Sequence, residues 1–141
     1  MNYIIYLFPV LFIIHELEEI FGFEKWYKKR KNTLNKYPKI AKKIHYVFSY
    51  YSNKGMLFAI IEQLVLLLIV CFLALKYDFY ILWLGAFIGY TIHLFVHFFQ
   101  SLALKMYIPS FITSIIEIPI CFYIIYFVFN KYNFSLNEVF L

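Results

Sequence analysis

Four runs of mostly apolar residues make up most of this 141-residue chain, and they constrain its fold more than any other feature. Each run has about 20 residues, which as a helix matches a bilayer hydrocarbon core about 30 Å thick. Hydrophobic residues form 64% of the chain, and so small a globule has too little interior to bury them. The sequence therefore predicts an all-α, polytopic membrane protein, a single four-helix bundle over residues 1–141. The predicted transmembrane helices cover roughly residues 3–23, 55–75, 79–102 and 108–129.

The basic residues are concentrated in the connection between the first two runs. Residues 25–54 contain ten Lys or Arg and no acid. Because basic connections stay on the cytoplasmic side, the sequence predicts a cytoplasmic loop over residues 24–54 and places both termini outside. The first run lacks the basic start and the cleavage site of a signal peptide. We therefore expect a multi-pass protein of the cytoplasmic membrane, and the net charge of +5 does not indicate nucleic-acid binding.

A short amphipathic pattern lies inside the basic loop. Pro38 suits a first helical turn, and apolar side chains recur on one face up to Tyr51 while lysines lie elsewhere. The pattern predicts an interfacial helix on the inner leaflet, where its lysines also meet anionic lipids. A membrane anchor is the favoured role, and a lid that guides a substrate is the alternative.

Polar side chains interrupt the apolar runs at one common depth. Counted from the predicted cytoplasmic helix ends, nearly all lie roughly 8–18 Å inside the membrane. An ionised carboxylate at mid-membrane costs at least about 2.5–3.5 kcal/mol on insertion scales, so we expect these groups to face the bundle interior and form one polar site. The alternative to a functional site is that these groups only form hydrogen bonds that hold the helices together, each worth about 0.6–2 kcal/mol. The residues are His15, Glu18, Glu19, Glu62, His93, His97, Gln100, Thr113, Ser114 and Glu117.

Helical spacing brings several of these side chains onto shared faces. Glu18 and Glu19 follow His15 at i+3 and i+4, and His97 follows His93 at i+4. Residues three and four apart are neighbours on a helix surface. The first and third helices are therefore each predicted to present one imidazole-bearing face to the site.

The stretch HELEE, residues 15–19, fits the pattern His-x-x-Glu-Glu. Together with HLFVHFFQSLALKMYIPSFITSIIEIP downstream, it resembles the HXXEE-motif family of small bacterial membrane proteins over roughly residues 5–120. The resemblance implies that His97 is the family histidine, whereas His93 stands where Asn is common. The family's function is largely unknown, so the resemblance supports a site and supplies no reaction. It also matches Tyr107, Pro109, Thr113 and Pro119 to the family's later motif, and Glu62 to a second-span acid.

Mixed imidazole and carboxylate groups suit Zn, Fe or Mn, and four-helix bundles with inward Glu and His hold dinuclear centres in soluble proteins. We therefore predict a site for one or two divalent metals. Without a metal, the same groups would serve acid–base chemistry. The predicted metal ligands are His15, Glu19, Glu62, His93 and His97. The predicted catalytic residues are His15, Glu18, Glu19, Glu62 and His97, and the predicted substrate or supporting residues are Gln100, Thr113 and Glu117.

These features together predict a membrane-embedded enzyme that acts on a lipid or an amphiphilic molecule. A proton or metal-ion transporter or sensor is the first alternative, although polar groups on only one side of the membrane do not favour alternating access. A non-catalytic interaction or immunity protein is a further alternative. The sequence leaves the oligomeric state open. Cys71 and Cys121 are predicted to be small buried hydrophobes rather than disulfide partners.

Overall fold

The computed structural model of the protein describes residues 2–39, 42, 46, 53–132 and 134. These residues form four long α-helices and no strand, so the predicted all-α class is confirmed. The second to fourth helices agree with the predicted spans to within a few residues at each end. The helices are α1 (Asn2–Leu34), α2 (Asn53–Tyr77), α3 (Tyr80–Leu104) and α4 (Phe111–Tyr132).

Three of the four helices are long and apolar enough to cross a membrane, which is consistent with a membrane protein. They are α2 from Gly55 to Tyr77, and the whole of α3 and α4. The first helix is not among them, because its apolar half already contains Glu16, Glu18 and Glu19. A fourth span and the orientation of the chain remain predictions.

The first helix is longer than the predicted first span. It continues past Phe23 to Leu34, so its length of about 50 Å exceeds the bilayer core. The first part of the predicted loop 24–54 is therefore helical, and an i,i+4 ion pair between Glu24 and Lys28 supports this extension. Most of the predicted interfacial helix, residues 38–51, lies outside the described residues.

The main apolar core joins all four helices at the end of the bundle where α1 begins. The ring of Phe8 in α1 meets Trp83 and Phe87 of α3 edge-on, with centroids 5.9 and 4.9 Å apart. Such edge-to-face contacts stabilise aromatic pairs beyond their buried area. Cys71 and Cys121 are both buried free thiols, as predicted. The core fixes α1 against α3, and thereby sets the spacing of the polar groups further along these helices.

A second, smaller core holds the connection between α3 and α4, residues 105–110, against α1. The indole N–H of Trp26 donates to the carbonyl of Tyr107. Gly22 approaches Pro109 so closely that a Cβ atom at Gly22 would lie 2.9 Å from that of Pro109. This connection is therefore packed directly on the part of α1 that follows the HELEE stretch. The buried residues of this core are Trp26, Leu34, Leu104 and Ile108.

Two residues with left-handed backbone give the connection its shape. Lys105 ends α3 at a φ of 50°, and its N–H bonds the carbonyls of Leu102 and Ser101. Ser110, at a φ of 77°, precedes α4, and its carbonyl accepts the amide of Ser114 at 3.0 Å. Positive φ is uncommon for residues other than glycine. The turn brings Ser110 and the first residues of α4 beside the polar side chains of α1.

Candidate metal centre

Four side chains from two helices converge at one point between α1 and α3. His15 and Glu19 come from α1, His93 and His97 come from α3, and each offers one ligand atom within 4.8 Å of the others. Their i,i+4 spacing on each helix places both members of a pair on one face. His15 and His97 are buried, Glu19 is half-buried and His93 is exposed. The cluster therefore has a buried interior and one accessible side.

The spacing of the ligand atoms suits a single metal ion. Nε2 of His97 lies 3.0 Å from Nε2 of His93 and 3.5 Å from Oε2 of Glu19. Ligands bound tetrahedrally at about 2.0–2.1 Å from zinc lie about 3.3–3.4 Å from one another. The same distances would also fit hydrogen bonds among these side chains. Nε2 of His15, which has no hydrogen-bond partner among the described residues, favours the metal.

The hydroxyl of Thr113 forms a hydrogen bond with the ring of His15. Nδ1 of His15 lies 2.9 Å from Oγ1 of Thr113, and this hydroxyl donates to the carbonyl of Ser110 at 3.2 Å. The hydroxyl has a single proton, so Nδ1 of His15 donates to Oγ1 when that proton goes to the carbonyl. Nε2 of His15 then carries the lone pair.

Nε2 of His15 is buried and has no hydrogen-bond partner in the described part of the chain. The side chain of His15 is fully buried, and a buried polar atom without a partner is costly. The ring centroids of His93 and His97 lie 5.4 and 5.2 Å from that of His15. An unpartnered imidazole nitrogen beside two further imidazoles and a carboxylate is the arrangement that a divalent cation satisfies.

Glu18 holds the start of α4 rather than completing the cluster. Its carboxylate accepts the amides of Ile112 at 3.3 Å and Thr113 at 2.8 Å, and the hydroxyl of Tyr107 at 2.7 Å. The first amides of a helix lack intrahelical partners, and negative charge is favourable there. Partial burial and the neighbouring Glu18 raise the pKa of Tyr107 to about 12. Glu18 therefore lies outside the group of four ligand residues, and its catalytic role stays a prediction.

The three residues that define the His-x-x-Glu-Glu pattern, His15, Glu18 and Glu19, all contact the segment at the start of α4. His15 bonds Thr113, Glu18 bonds the α4 amides, and the hydroxyl of Ser110 donates to Oε2 of Glu19 at 3.2 Å. Ser110 holds its left-handed backbone while fully buried. Backbone strain of this kind is concentrated at functional sites. The motif therefore joins α1 to α4 and, at the same time, directs His15 and Glu19 toward α3.

The remaining predicted residues lie at different distances from the cluster. Glu117 is buried in α4 and accepts the hydroxyl of Tyr90, outside the group of four ligands. Gln100 lines the neighbouring cavity. Glu62 is exposed on α2, and the structure does not bring it to the cluster. A second carboxylate ligand from α2, which the sequence predicts, is absent from the cluster formed by the described residues.

Sequence reasoning missed two residues that contact the site. Tyr90 precedes His93 by three residues and His97 by seven, so the helical spacing that identified the histidines also indicates this tyrosine. The ring of Tyr90 meets that of His15 edge-on at 6.0 Å between centroids. Ser110 has no comparable signal, because its contact with Glu19 depends on the turn before α4.

An apolar cavity of about 850 Å³ adjoins the cluster, and we call it the α1–α3 cavity. Glu19 and His97 form part of its wall, and Lys39 and Gln100 are its other polar lining residues. Small-molecule sites have volumes of about 300–1,000 Å³. Its apolar wall includes Phe23, Trp26, Phe95, Phe99, Leu104 and Ile108.

A smaller cavity of about 370 Å³, the α2–α3 cavity, lies on another side of the cluster. His93, Tyr90 and Gln63 are its polar lining residues, and the rest of its wall is apolar. The cluster therefore contacts two cavities through different side chains: His93 faces the smaller one, and Glu19 and His97 face the larger one.

The fold and the cluster define a helical protein with membrane-span candidates and a combined histidine and glutamate site. The chain belongs to the family described as protein of unknown function with HXXEE motif, which it matches over residues 6–124. This match confirms the predicted resemblance and includes the HELEE stretch, both α3 histidines and the start of α4. No curated protein and no solved structure matches the chain.

Proposed function

We propose that the protein is a membrane-embedded enzyme that binds one divalent metal through His15, Glu19, His93 and His97. The observation that carries this proposal is the buried, unpartnered Nε2 atom of His15 beside the other three ligands. With Glu62 outside the group, four ligand atoms suit one ion better than two. Imidazole and carboxylate ligands favour Zn, Fe or Mn.

Such an ion supplies a Lewis acid that polarises an oxygen of the substrate or activates a water molecule. The chain's own groups provide the surroundings for this chemistry. Glu19 and His97 form part of the wall of the α1–α3 cavity, so a molecule bound there lies next to two ligands. Thr113 forms a hydrogen bond with Nδ1 of His15, and the hydroxyl of Ser110 donates to Glu19.

The substrate is proposed to be a lipid or another amphiphile. The wall of the α1–α3 cavity is mostly apolar, with Lys39 and Gln100 as polar groups beside the two ligands. An apolar chain would pack along the aromatic and aliphatic wall, and a polar head would meet these groups. The exposed basic residues that end α1 would add attraction to anionic lipids of the inner leaflet.

The membrane topology belongs to the same proposal, with the apolar half of α1 as a fourth span. His15 and Glu16 are buried within the bundle, so this half of α1 does not present their polar groups to lipid. Its exposed face is mostly apolar. The basic residues from Lys25 onward would then lie in the cytoplasm with the rest of the loop, and both termini outside. The exposed apolar residues are Tyr6, Leu7, Val10, Ile13, Ile14 and Leu17.

Ion transport or sensing through the same cluster is the second candidate. It is favoured by the contact of the cluster with two cavities, since His93 faces the α2–α3 cavity. Phe8, Phe12 and Leu67 line that cavity, and an apolar wall offers few groups that would hydrate a moving ion. The enzyme therefore remains the better-supported function.

The enzyme proposal is tested by metal analysis combined with lipid turnover. The wild type, His15→Ala, Glu19→Ala and the matched control Glu62→Ala are purified in detergent, loaded with zinc, iron or manganese, and mixed with bacterial polar lipids in micelles. We expect about one ion per chain and a change in the lipid mass spectrum for the wild type and Glu62→Ala. His15→Ala and Glu19→Ala should lose both with unchanged helix content. Full metal content in these two variants would contradict the ligand assignment, and metal binding without lipid turnover would favour the transport candidate.

A further inference from the structure

The α1–α3 cavity has two side chains of opposite charge in its wall, Glu19 and Lys39. The carboxylate of Glu19 already has partners, because it accepts the hydroxyl of Ser110 at 3.2 Å and lies 3.5 Å from Nε2 of His97. Lys39 is exposed, and it makes no ion pair with a residue that the structure describes. The charge that this cavity offers to a ligand is therefore positive.

Lys39 belongs to the end of the cavity formed by Trp26 and Leu104. The residues that precede the lysine pack against the small core that contains both side chains. Trp26 follows Glu19 in α1, and Leu104 follows His97 in α3, by seven residues each, which is about 10 Å along either helix. Lys39 therefore lies toward one end of the cavity, and the pair of Glu19 and His97 lies farther in.

Beyond His97, the cavity continues along an apolar part of α3. Ile92, Phe95 and Val96 precede His97 in this helix and line the cavity. From Ile92 to Leu104 the α3 wall extends about 18 Å. The volume of about 850 Å³ lies within the range for a single small molecule. A long cavity with an apolar inner end and a charge near the other end suits one hydrocarbon chain with a polar head.

The segment that leads to Lys39 is strongly basic. Residues 25–54 contain no acid, and the exposed Lys28 is paired with Glu24 just before this range. A surface with one sign of charge raises the local concentration of oppositely charged ligands, so this segment attracts an anion and repels a cation. The exposed basic residues between α1 and Lys39 are Lys25, Lys28, Lys29, Arg30, Lys31 and Lys36.

We infer that the α1–α3 cavity binds a single-chain amphiphile with an anionic head, a carboxylate or a phosphate, and that Lys39 binds this head. The ammonium group of lysine is a compact point charge that pairs with either anion. The chain of the amphiphile then passes Trp26, Glu19 and His97 and ends against the apolar part of α3. This inference rests on the proposed function, since it names the substrate class of that site, but the binding step needs no metal.

The fluorescence of Trp26 tests whether the cavity holds such a chain. The protein has two tryptophans. Trp26 lines the cavity, whereas Trp83 is 1% exposed in the main core. Trp83→Phe leaves Trp26 as the reporter, and Trp26→Phe gives the background from Trp83. The metal-free full chain in phosphatidylcholine nanodiscs is titrated with a fatty acid, an alkyl phosphate, an alcohol and an amine that share one brominated chain, because bromine quenches tryptophan on contact.

We expect saturable quenching of Trp26, at a lower fraction of probe in the lipid for the two anions than for the alcohol or the amine. Trp83 should be quenched little by any of the probes. Equal binding of the anionic, neutral and cationic probes would overturn the inference and leave the proposed enzyme with another amphiphile. Tighter binding of the amine would place a cationic head at Glu19 and would also overturn it.

The role of Lys39 is tested in the Trp83→Phe background. Lys39→Gln should raise the half-saturating concentration of the fatty acid about 1.5- to 5-fold, the range for an exposed ion pair, and leave that of the alcohol unchanged. Lys39→Arg keeps the charge and should bind like the parent. Lys36→Gln is the matched control, because Lys36 is exposed on the same segment and is not among the residues that line the cavity.

The outcomes separate this inference from the proposed enzyme. No change in Lys39→Gln, or the same change in Lys36→Gln, would overturn the assignment of the head to Lys39. Anion-selective binding that depends on Lys39, in a protein that neither holds a metal nor changes lipids, would support the inference and contradict the proposed function.

Discussion

Nδ1 of His15 lies 2.9 Å from the hydroxyl of Thr113, and this contact joins the His-x-x-Glu-Glu motif of α1 to the first turn of α4. When the hydroxyl donates onward to the carbonyl of Ser110, the imidazole donates to it, and Nε2 of His15 is left to bind the proposed metal. Supporting hydrogen bonds of this kind orient metal-ligating histidines and raise their basicity. In the proposed metal site, the α3–α4 connection would therefore orient ligands that belong to another helix.

Thr113→Val removes this hydroxyl and keeps the shape of the side chain. We expect metal affinity to fall about 10- to 100-fold with the fold intact, because Nδ1 of His15 loses its acceptor. Competition with a chromogenic chelator measures the affinity. Thr113→Ser is the matched control and should bind like the wild type. Equal affinities for Thr113→Val and the wild type would show that the tautomer of His15 is set in another way.

The two adjacent carboxylates of the motif should affect different properties. Glu18→Ala leaves the first amides of α4 without their acceptor, so we expect a loss of about 0.5–2 kcal/mol in the free energy of unfolding. Glu19→Ala should instead lose the metal and leave the metal-free protein close to wild-type stability. Thermal unfolding of the metal-free variants and their metal content at saturation separate the two effects. If Glu18→Ala also fails to bind metal at saturation, Glu18 is a ligand and this assignment is wrong.

The contact of Gly22 with Pro109 should be intolerant of one added methyl group. Gly22→Ala would place Cβ 2.9 Å from that of Pro109 and push the connection away from α1. Overpacking of this kind costs about 1–3 kcal/mol, and we expect weaker metal binding because Ser110 moves from Glu19. Gly85→Ala is the control, since nothing lies within 4 Å of a Cβ there. Its stability should be unchanged or higher by about 0.5–1 kcal/mol. Equal stability of the two variants would contradict the close packing.

The buried pair of Tyr90 and Glu117 should be coupled. Tyr90 donates its hydroxyl to Glu117, whose other oxygen has no partner among the described residues. Tyr90→Phe should therefore lower the free energy of unfolding by about 1–3 kcal/mol, because the carboxyl group stays buried without its donor. Adding Glu117→Leu removes the buried polar group and should restore most of this loss. Denaturant unfolding in detergent of the single and double variants measures the coupling, and additive losses would show that the pair is not coupled.

The shared helix faces of the paired polar residues were predictable from the sequence, but the rotation of α2 about its axis was not. The i,i+4 pairs of α1 and α3 agree in depth and face, and the structure brings them together. Glu62 is exposed on α2, and it lies about 140° around the helix from the buried Leu67. A single acid in an apolar helix gives no helical periodicity from which the direction of its side chain can be predicted.

The contribution of the α3–α4 connection was also beyond the sequence. Glu18 shares the face of His15, which predicts a role at the site, but its partners are the α4 amides. Their position depends on the left-handed turns at Lys105 and Ser110, neither of which is a glycine. The length of α1 was underestimated for a different reason. Basic residues indicate where the chain leaves the membrane. They do not end a helix, because Lys and Arg are good helix formers.

The most direct test of the central claim is the X-ray absorption spectrum of the zinc-loaded protein. We predict a first shell of nitrogen and oxygen atoms at about 2.0–2.1 Å, with the multiple-scattering signature of three imidazoles, from His15, His93 and His97. His15→Ala should lose one imidazole or the metal itself, whereas Glu62→Ala should leave the spectrum unchanged. A shell of oxygen atoms without imidazole, or a protein that retains no metal after loading, would contradict the account.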